Sequence, residues 1–245
     1  EAMDADNHEA YDKAIQSQVA ILRRGLEHNP LSELLLSEFG LLNLFLGNDE
    51  IAYDYLHEYL KIAPEGEKRD LIAKRVQEIT EQLDNEKTLH EAFDEMQLGN
   101  EEQALRLIEG FIVNNPKSWS GWFIKGWAHR RLGSYDAAQK AFLTCLELGE
   151  RNADIYNELS ICSLELGNRD LAKEYLAIAL DLDTDNVKLL GNLAFLSLQD
   201  EQFNEAHELL ERAKLVDPAD PAVKHLQQEL ARRTGTETEE DIIDG

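Results

Sequence analysis

Two cysteines, Cys145 and Cys162, are the residues of this chain whose chemistry could support a redox pair. They allow one disulfide, but they give neither a disulfide framework nor the spacing of a zinc site. So few cysteines fit a reducing compartment, and we expect cytoplasmic localisation. We interpret both as small buried residues, with a redox pair as the alternative.

Catalysis and metal binding have little support in the other reactive side chains. The seven histidines are scattered, with no pair at metal-binding spacing on a helix. A catalytic interpretation requires an acid and a base beside a closed pocket, together with a nucleophile, and the sequence provides no such set. We therefore expect no catalytic residue, no metal, no cofactor and no enzymatic activity.

The chain is strongly acidic, because 49 Asp and Glu residues oppose 24 Lys and Arg residues and give a formal net charge of -25. This charge repels phosphate backbones and anionic lipid surfaces, so we expect neither nucleic acid nor a membrane as a partner. No apolar stretch is long enough to span a bilayer, and the N-terminus lacks a basic region followed by an apolar run. Neither export nor anchoring is indicated.

The main pattern in the sequence is an internal repeat. Leu-Gly pairs end at Gly99, Gly133 and Gly167, with a spacing of 34 residues, and an earlier pair ends at Gly47. Repeat position 8 is small, position 20 is alanine and position 24 is large and apolar, as expected for two closely packed antiparallel helices. The five units are 33–66, 85–118, 119–152, 153–186 and 187–220, with Ala52, Ala104, Ala138, Ala172 and Ala206 at position 20.

This pattern resembles the tetratricopeptide repeat (TPR) family, whose signature includes Trp at position 4, Gly at 8, Ala at 20 and Phe at 24. The unit 119–152 matches best, with Trp122, Gly126, Ala138 and Phe142. The resemblance implies an all-α fold, a right-handed α-solenoid of antiparallel helix pairs with about 13 helices. It also implies a scaffold or adaptor that binds proteins.

Four further segments flank or interrupt the repeats. Residues 1–32 are expected to form a helix that covers the first repeat, and residues 67–84 an extra amphipathic helix that connects or caps. Residues 221–233 are expected to form a C-terminal capping helix. Residues 234–245 are acidic and are expected to be a disordered tail.

The family resemblance implies that the first helix of each repeat lines a concave groove, with positions 2, 5, 9, 12 and 13 facing it. Position 9 forms an apolar stripe that suits a peptide or helix segment of another protein. The alternative is that this stripe is covered within the molecule. Arg130 and Arg131, at positions 12 and 13, could bind a carboxylate of a partner protein. Alternatively, they could pair with Glu95 or Glu165 of this chain. The expected groove residues are Leu89, Phe93, Phe123, Trp127, Arg130, Arg131, Ile161 and Phe195.

Other functions remain as alternatives to a peptide-binding scaffold. The chain could be a self-assembling module that forms a homo-oligomer, or a regulatory TPR segment of a larger protein. The carboxylate clamp that binds chaperone tails in this family is not matched, since Leu89, Phe93, Ile124, Asp154 and Glu158 stand at its positions. We therefore do not expect a chaperone tail as the ligand.

Overall fold

The computed structural model describes the backbone of residues 2–235 and the side chains of residues 8–235. Within that range the chain is all-helical, with twelve helices and no strand. In chain order they are α1 (Ala2–His28), α2 (Glu33–Phe45), α3 (Asp49–Ile62), α4 (Glu67–Leu98), α5 (Glu101–Asn114), α6 (Trp119–Arg131), α7 (Tyr135–Glu147), α8 (Ala153–Glu165), α9 (Arg169–Leu182), α10 (Val187–Gln199), α11 (Phe203–Val216) and α12 (Pro221–Thr234).

The chain divides into two compact units, unit 1 (Glu1–Lys87) and unit 2 (Thr88–Gly245). The division falls within α4. Unit 1 has a core of its own, in which Leu26 of α1 joins Phe39 of α2, Leu56 of α3 and Ile72 of α4. Unit 2 contains two further core clusters, one centred on α4 to α6 and one that runs from α7 to α12.

One continuous helix replaces two helices that the sequence analysis expects. A separate helix over 67–84 and a new repeat helix from residue 85 were expected, but α4 runs unbroken from Glu67 to Leu98. The junction, Asp84-Asn85-Glu86-Lys87, contains neither proline nor glycine, so nothing in it ends a helix. This fusion explains why the described residues contain twelve helices and not about 13.

The repeated turns have a clear local cause. Gly47, Gly99, Gly133 and Gly167 each follow a first helix with φ between +74° and +82°, a region that glycine enters without steric cost. In the last repeat Glu201 takes this place with φ +59°, and among the described residues it is the one non-glycine residue with positive φ. The turn therefore keeps its shape without glycine.

Close packing within each pair relies on small residues. The alanine at position 20 is fully buried in all five units. At Gly126, an added Cβ would lie 2.7 Å from the ring of Phe142, the position-24 residue of the same unit. At Gly40 it would lie 2.6 Å from Leu56 in the same way. These two glycines let a large side chain of the second helix pack directly against the backbone of the first.

Helix α12 closes the described part of unit 2. Asp220 caps its start by accepting a hydrogen bond from the backbone N–H of Val223, with Pro221 in the first turn. Val223 and Leu230 join the core. Thr234 is the last residue of α12 and Gly235 its C-cap, so the rest of the expected acidic tail, 236–245, lies outside the described residues.

Candidate binding groove

The expected position-9 stripe lies on the first helices of unit 2, with Phe93 on α4, Trp127 on α6, Ile161 on α8 and Phe195 on α10. The rings of Phe93 and Trp127 are brought together, with centroids 5.7 Å apart and planes tilted by 46°. Such a pair stabilises its two helices relative to each other and presents a joint aromatic surface. No ring contact with Phe195 occurs among the described residues.

The members of the stripe differ in how much surface they offer. Phe93 is 45% exposed and Phe195 is 42% exposed. Trp127 is half-buried, because it packs against both core clusters of unit 2. Leu89 and Ile161 are likewise half-buried. The two phenylalanines therefore offer apolar surface with the least contribution to the core.

Phe123, expected at position 5 of the groove, is mostly a packing residue. Its ring contacts Phe142 edge to face, with centroids 5.5 Å apart. Phe142 itself is fully buried. Phe123 therefore covers the core between α6 and α7 with one face and leaves only part of its surface for a ligand.

Arg130 forms an ion pair with a carboxylate of the neighbouring repeat. Its guanidinium Nε contacts Oε2 of Glu158 on α8. Glu158 is 7% exposed, and burial raises the pKa of this carboxyl group while Arg130 and then Lys188 oppose the shift. The partner is thus neither Glu95 nor Glu165, the two acids considered from the sequence.

Arg131 ties two helices of the preceding repeat together. Its Nη1 donates to the backbone carbonyl of Met96 at 2.7 Å, and its Nη2 lies 2.7 Å from Oε1 of Glu101. It therefore contacts the last turn of α4 and the first turn of α5. Both expected groove arginines therefore have intramolecular partners, which connect them to neighbouring helices.

Two surfaces at groove positions are absent from the residues expected from the sequence, although the same position numbers indicate both. In unit 1, positions 2, 9 and 13 of α2 are Leu34, Leu41 and Phe45, which are 63%, 37% and 69% exposed. In unit 2, positions 2 and 5 of the last repeat are Lys188 and Gly191, which line a cavity between α10 and α12. Gly191 has no side chain that could indicate a binding surface, and α2 belongs to an earlier repeat than the expected stripe.

The two cysteines are buried, and burial raises the pKa of each thiol to about 12. The Cys145 thiol also donates to the backbone carbonyl of Trp119 at 3.4 Å. Since the thiolate is the reactive form, a thiol with such a pKa is a poor nucleophile near neutral pH. Both residues act as small core side chains.

The length and polarity of the helices bear on membrane insertion. Among the described residues, no helix combines the length and the apolar character needed to cross a bilayer.

Comparison with known proteins identifies the family. Models of the tetratricopeptide repeat match residues 91–153, 125–187 and 170–230, which together make up more than half of the chain. The chain belongs to the tetratricopeptide repeat family. Its membership indicates a protein–protein interaction scaffold in general terms. No curated protein sequence matches the chain significantly.

Solved TPR structures show the same solenoid fold at low sequence identity. The Cut9-Hcn1 hetero-tetramer of the APC/C matches with 15% identity and a TM-score of 0.56, over 88% of this chain and 39% of that one. The pilF protein of Pseudomonas aeruginosa matches with 16% identity and a TM-score of 0.55, over 83% and 84%. The thermophilic TPR protein TTC0263 of Thermus thermophilus matches with 20% identity and a TM-score of 0.51, over 82% and 98%.

Proposed function

We propose that unit 2 binds a peptide or helical segment of another protein along its first helices, with Phe93, Trp127 and Phe195 as the main apolar contacts. The observation that carries this proposal is the exposure of Phe93 and Phe195, at equivalent positions of two repeats. Aromatic side chains bury a large area at a low entropic cost, and they are enriched among residues that dominate binding energy. Trp127 extends the surface of Phe93 through their ring contact.

The proposed contacts leave out the two arginines. Arg130 pairs with Glu158, and Arg131 with Glu101 and the Met96 carbonyl. Both guanidinium groups already pair with a carboxylate of this chain, so a ligand carboxylate would compete with a partner that is in place. These arginines therefore position α6 between its neighbours, and the aromatic residues make the binding contacts.

The test is affinity capture from an extract of the source cells with the parent protein and a Phe93→Ala, Phe195→Ala double variant. A matched control is Val113→Ala, Leu215→Ala, since these residues are 78% and 84% exposed on second helices. We expect a protein that the parent and the control retain and that the double variant loses. Both variants remove exposed apolar surface, so a difference between them locates the binding surface.

The affinity of the captured protein for the parent and for a Trp127 variant then measures how much this residue contributes to binding. Trp127→Ala should weaken binding by about 2 kcal/mol or more, a loss of roughly 30-fold, at unchanged helical content. Equal affinity of Trp127→Ala and the parent would remove this residue from the site. Identical captures by all proteins would refute groove binding, and a sedimentation measurement over a range of concentrations would then test self-assembly.

A further inference from the structure

A cavity of about 320 Å³ lies between α10 and α12 in unit 2. Its apolar lining comes from Val187 and Phe195 of α10 and from Val223 and Leu226 of α12. Ligand pockets typically measure roughly 300–1,000 Å³, so this cavity is at the small end of that range. Its size suits one bulky side chain of a larger ligand.

Gly191 forms part of the lining, and helix packing does not explain it. At Gly126 an added Cβ would meet Phe142 at 2.7 Å, so that glycine is required for packing. At Gly191, by contrast, no described atom lies within 4 Å of an added Cβ. Glycine inside a helix is less stable than alanine because of its greater backbone freedom. The lack of a side chain at Gly191 therefore serves to keep the cavity open.

The polar groups of the rim leave one cation without an ion pair to any described residue. Asp220 accepts the capping hydrogen bond from Val223 at 2.8 Å, and Asn192 donates to Asn157 at 3.0 Å. The cation is Lys188, whose effect on Glu158 is a secondary one, since Arg130 is the direct partner of that acid. Lys188 is exposed at the rim of an apolar cavity, so it favours a ligand carboxylate that lies next to an apolar side chain.

We propose that this cavity is the socket for one bulky apolar side chain of the bound segment, and that an acidic residue next to that side chain binds Lys188. The inference rests on the proposed function, because Phe195 is shared by the cavity and the aromatic surface. It adds the chemistry of the partner, which is an acidic segment with a large apolar residue. The other charged or titratable rim groups are Asp220, which caps its own helix, and His225.

The experiment selects binders from a display library of random short peptides on the full chain and measures the affinity of the selected peptides. We expect the selected sequences to share a bulky apolar residue next to Asp or Glu. Gly191→Leu, which fills the cavity, should weaken their binding about tenfold or more. The matched control is Gly110→Leu on α5, because an added Cβ there also meets no described atom within 4 Å and Gly110 is exposed.

Two further variants distinguish loss of binding from loss of folding, and test the contribution of the Lys188 charge. Gly191→Ala should weaken binding by about threefold or more although it raises the melting temperature, since alanine stabilises a helix relative to glycine. Selection on Lys188→Glu should replace the acidic residue of the consensus by Lys or Arg. A changed consensus is a readout that loss of stability cannot produce.

The outcomes separate this inference from the proposed function. Peptides that lose affinity for Phe93→Ala but not for Gly191→Leu would uphold groove binding and overturn the socket. Absence of any enriched peptide, or a consensus without acidic residues, would overturn the stated partner chemistry. An Ile242→Asp, Ile243→Asp variant that binds the peptides much more tightly than the parent would identify the chain's own acidic segment as the occupant and overturn an external partner.

Discussion

The turn at Glu201 allows a quantitative test of how the repeat is built. Four equivalent turns use glycine at positive φ, and Glu201 adopts φ +59° in the same place. A left-handed conformation costs an L-residue roughly 1–2 kcal/mol, because Cβ approaches the following carbonyl. We expect Glu201→Gly to remove this cost.

The gain in the free energy of unfolding is reduced because glycine also makes the unfolded chain more flexible. This entropy of the unfolded state offsets about 0.4–1 kcal/mol. The net stabilisation should therefore be about 0.5–1 kcal/mol, or a rise in melting temperature of roughly 1–4 °C for a chain of this size. The assay is denaturant unfolding followed by far-UV circular dichroism. Repeat proteins can depart from two-state unfolding and show more than one transition. The quantity to compare between the variant and the parent is therefore the midpoint of the transition at the highest denaturant concentration.

Glu201→Ala is the matched control for this variant. It removes the carboxylate of an exposed residue but keeps Cβ, so it should give no comparable gain. The reciprocal change, Gly167→Ala at φ +82°, should destabilise the protein by about 1 kcal/mol. If Glu201→Ala stabilises as much as Glu201→Gly, charge and not backbone conformation governs this turn.

Two further changes test the packing and the electrostatics of unit 2. Gly126→Ala should destabilise the protein by roughly 1–3 kcal/mol in denaturant unfolding, because its Cβ would lie 2.7 Å from a buried ring, whereas Gly110→Ala should stabilise it. Glu158→Gln tests the raised pKa of the buried carboxyl: its contribution to stability is greatest below the unfolded pKa of about 4.5 and is lost as the pH rises through the higher folded pKa. The stability of the parent relative to Glu158→Gln should therefore fall as the pH rises above about 4.5.

Each of these two predictions has an outcome that would contradict it. A Gly126→Ala variant as stable as the parent would mean that the helices of that repeat can separate at little cost. A parent that gains stability relative to Glu158→Gln with rising pH would mean that the Arg130 ion pair outweighs the cost of burying the carboxylate.

Local interactions explain what could be predicted. The 34-residue period depends on residues that act within their own helix pair, such as the turn glycines and the position-20 alanines. A turn needs positive φ and a close crossing needs a small side chain wherever the rest of the chain lies. The helical fold and the repeat family therefore follow from the sequence.

Which side chains pair between neighbouring helices depends on the tertiary structure. Arg130 had several acids within plausible reach in the repeat frame, and the register of α6 against α8 selected Glu158. Arg131 likewise found a backbone carbonyl, which no sequence pattern can single out. The fusion of two expected helices into α4 depends on the lack of a helix-ending residue at 84–87, a weaker signal than the repeat period.

Residue types and spacing predict the TPR solenoid and an apolar stripe as its expected binding surface. Which members of the stripe retain free surface follows only from the folded chain, because burial depends on neighbouring helices far away in sequence. The open space beside Gly191 is likewise visible only in the folded chain, since a missing side chain can be interpreted only when its surroundings are known. Residue types and their spacing determine the local geometry of turns and helix pairs, whereas cavities and ion pairs arise from the packing of whole helices.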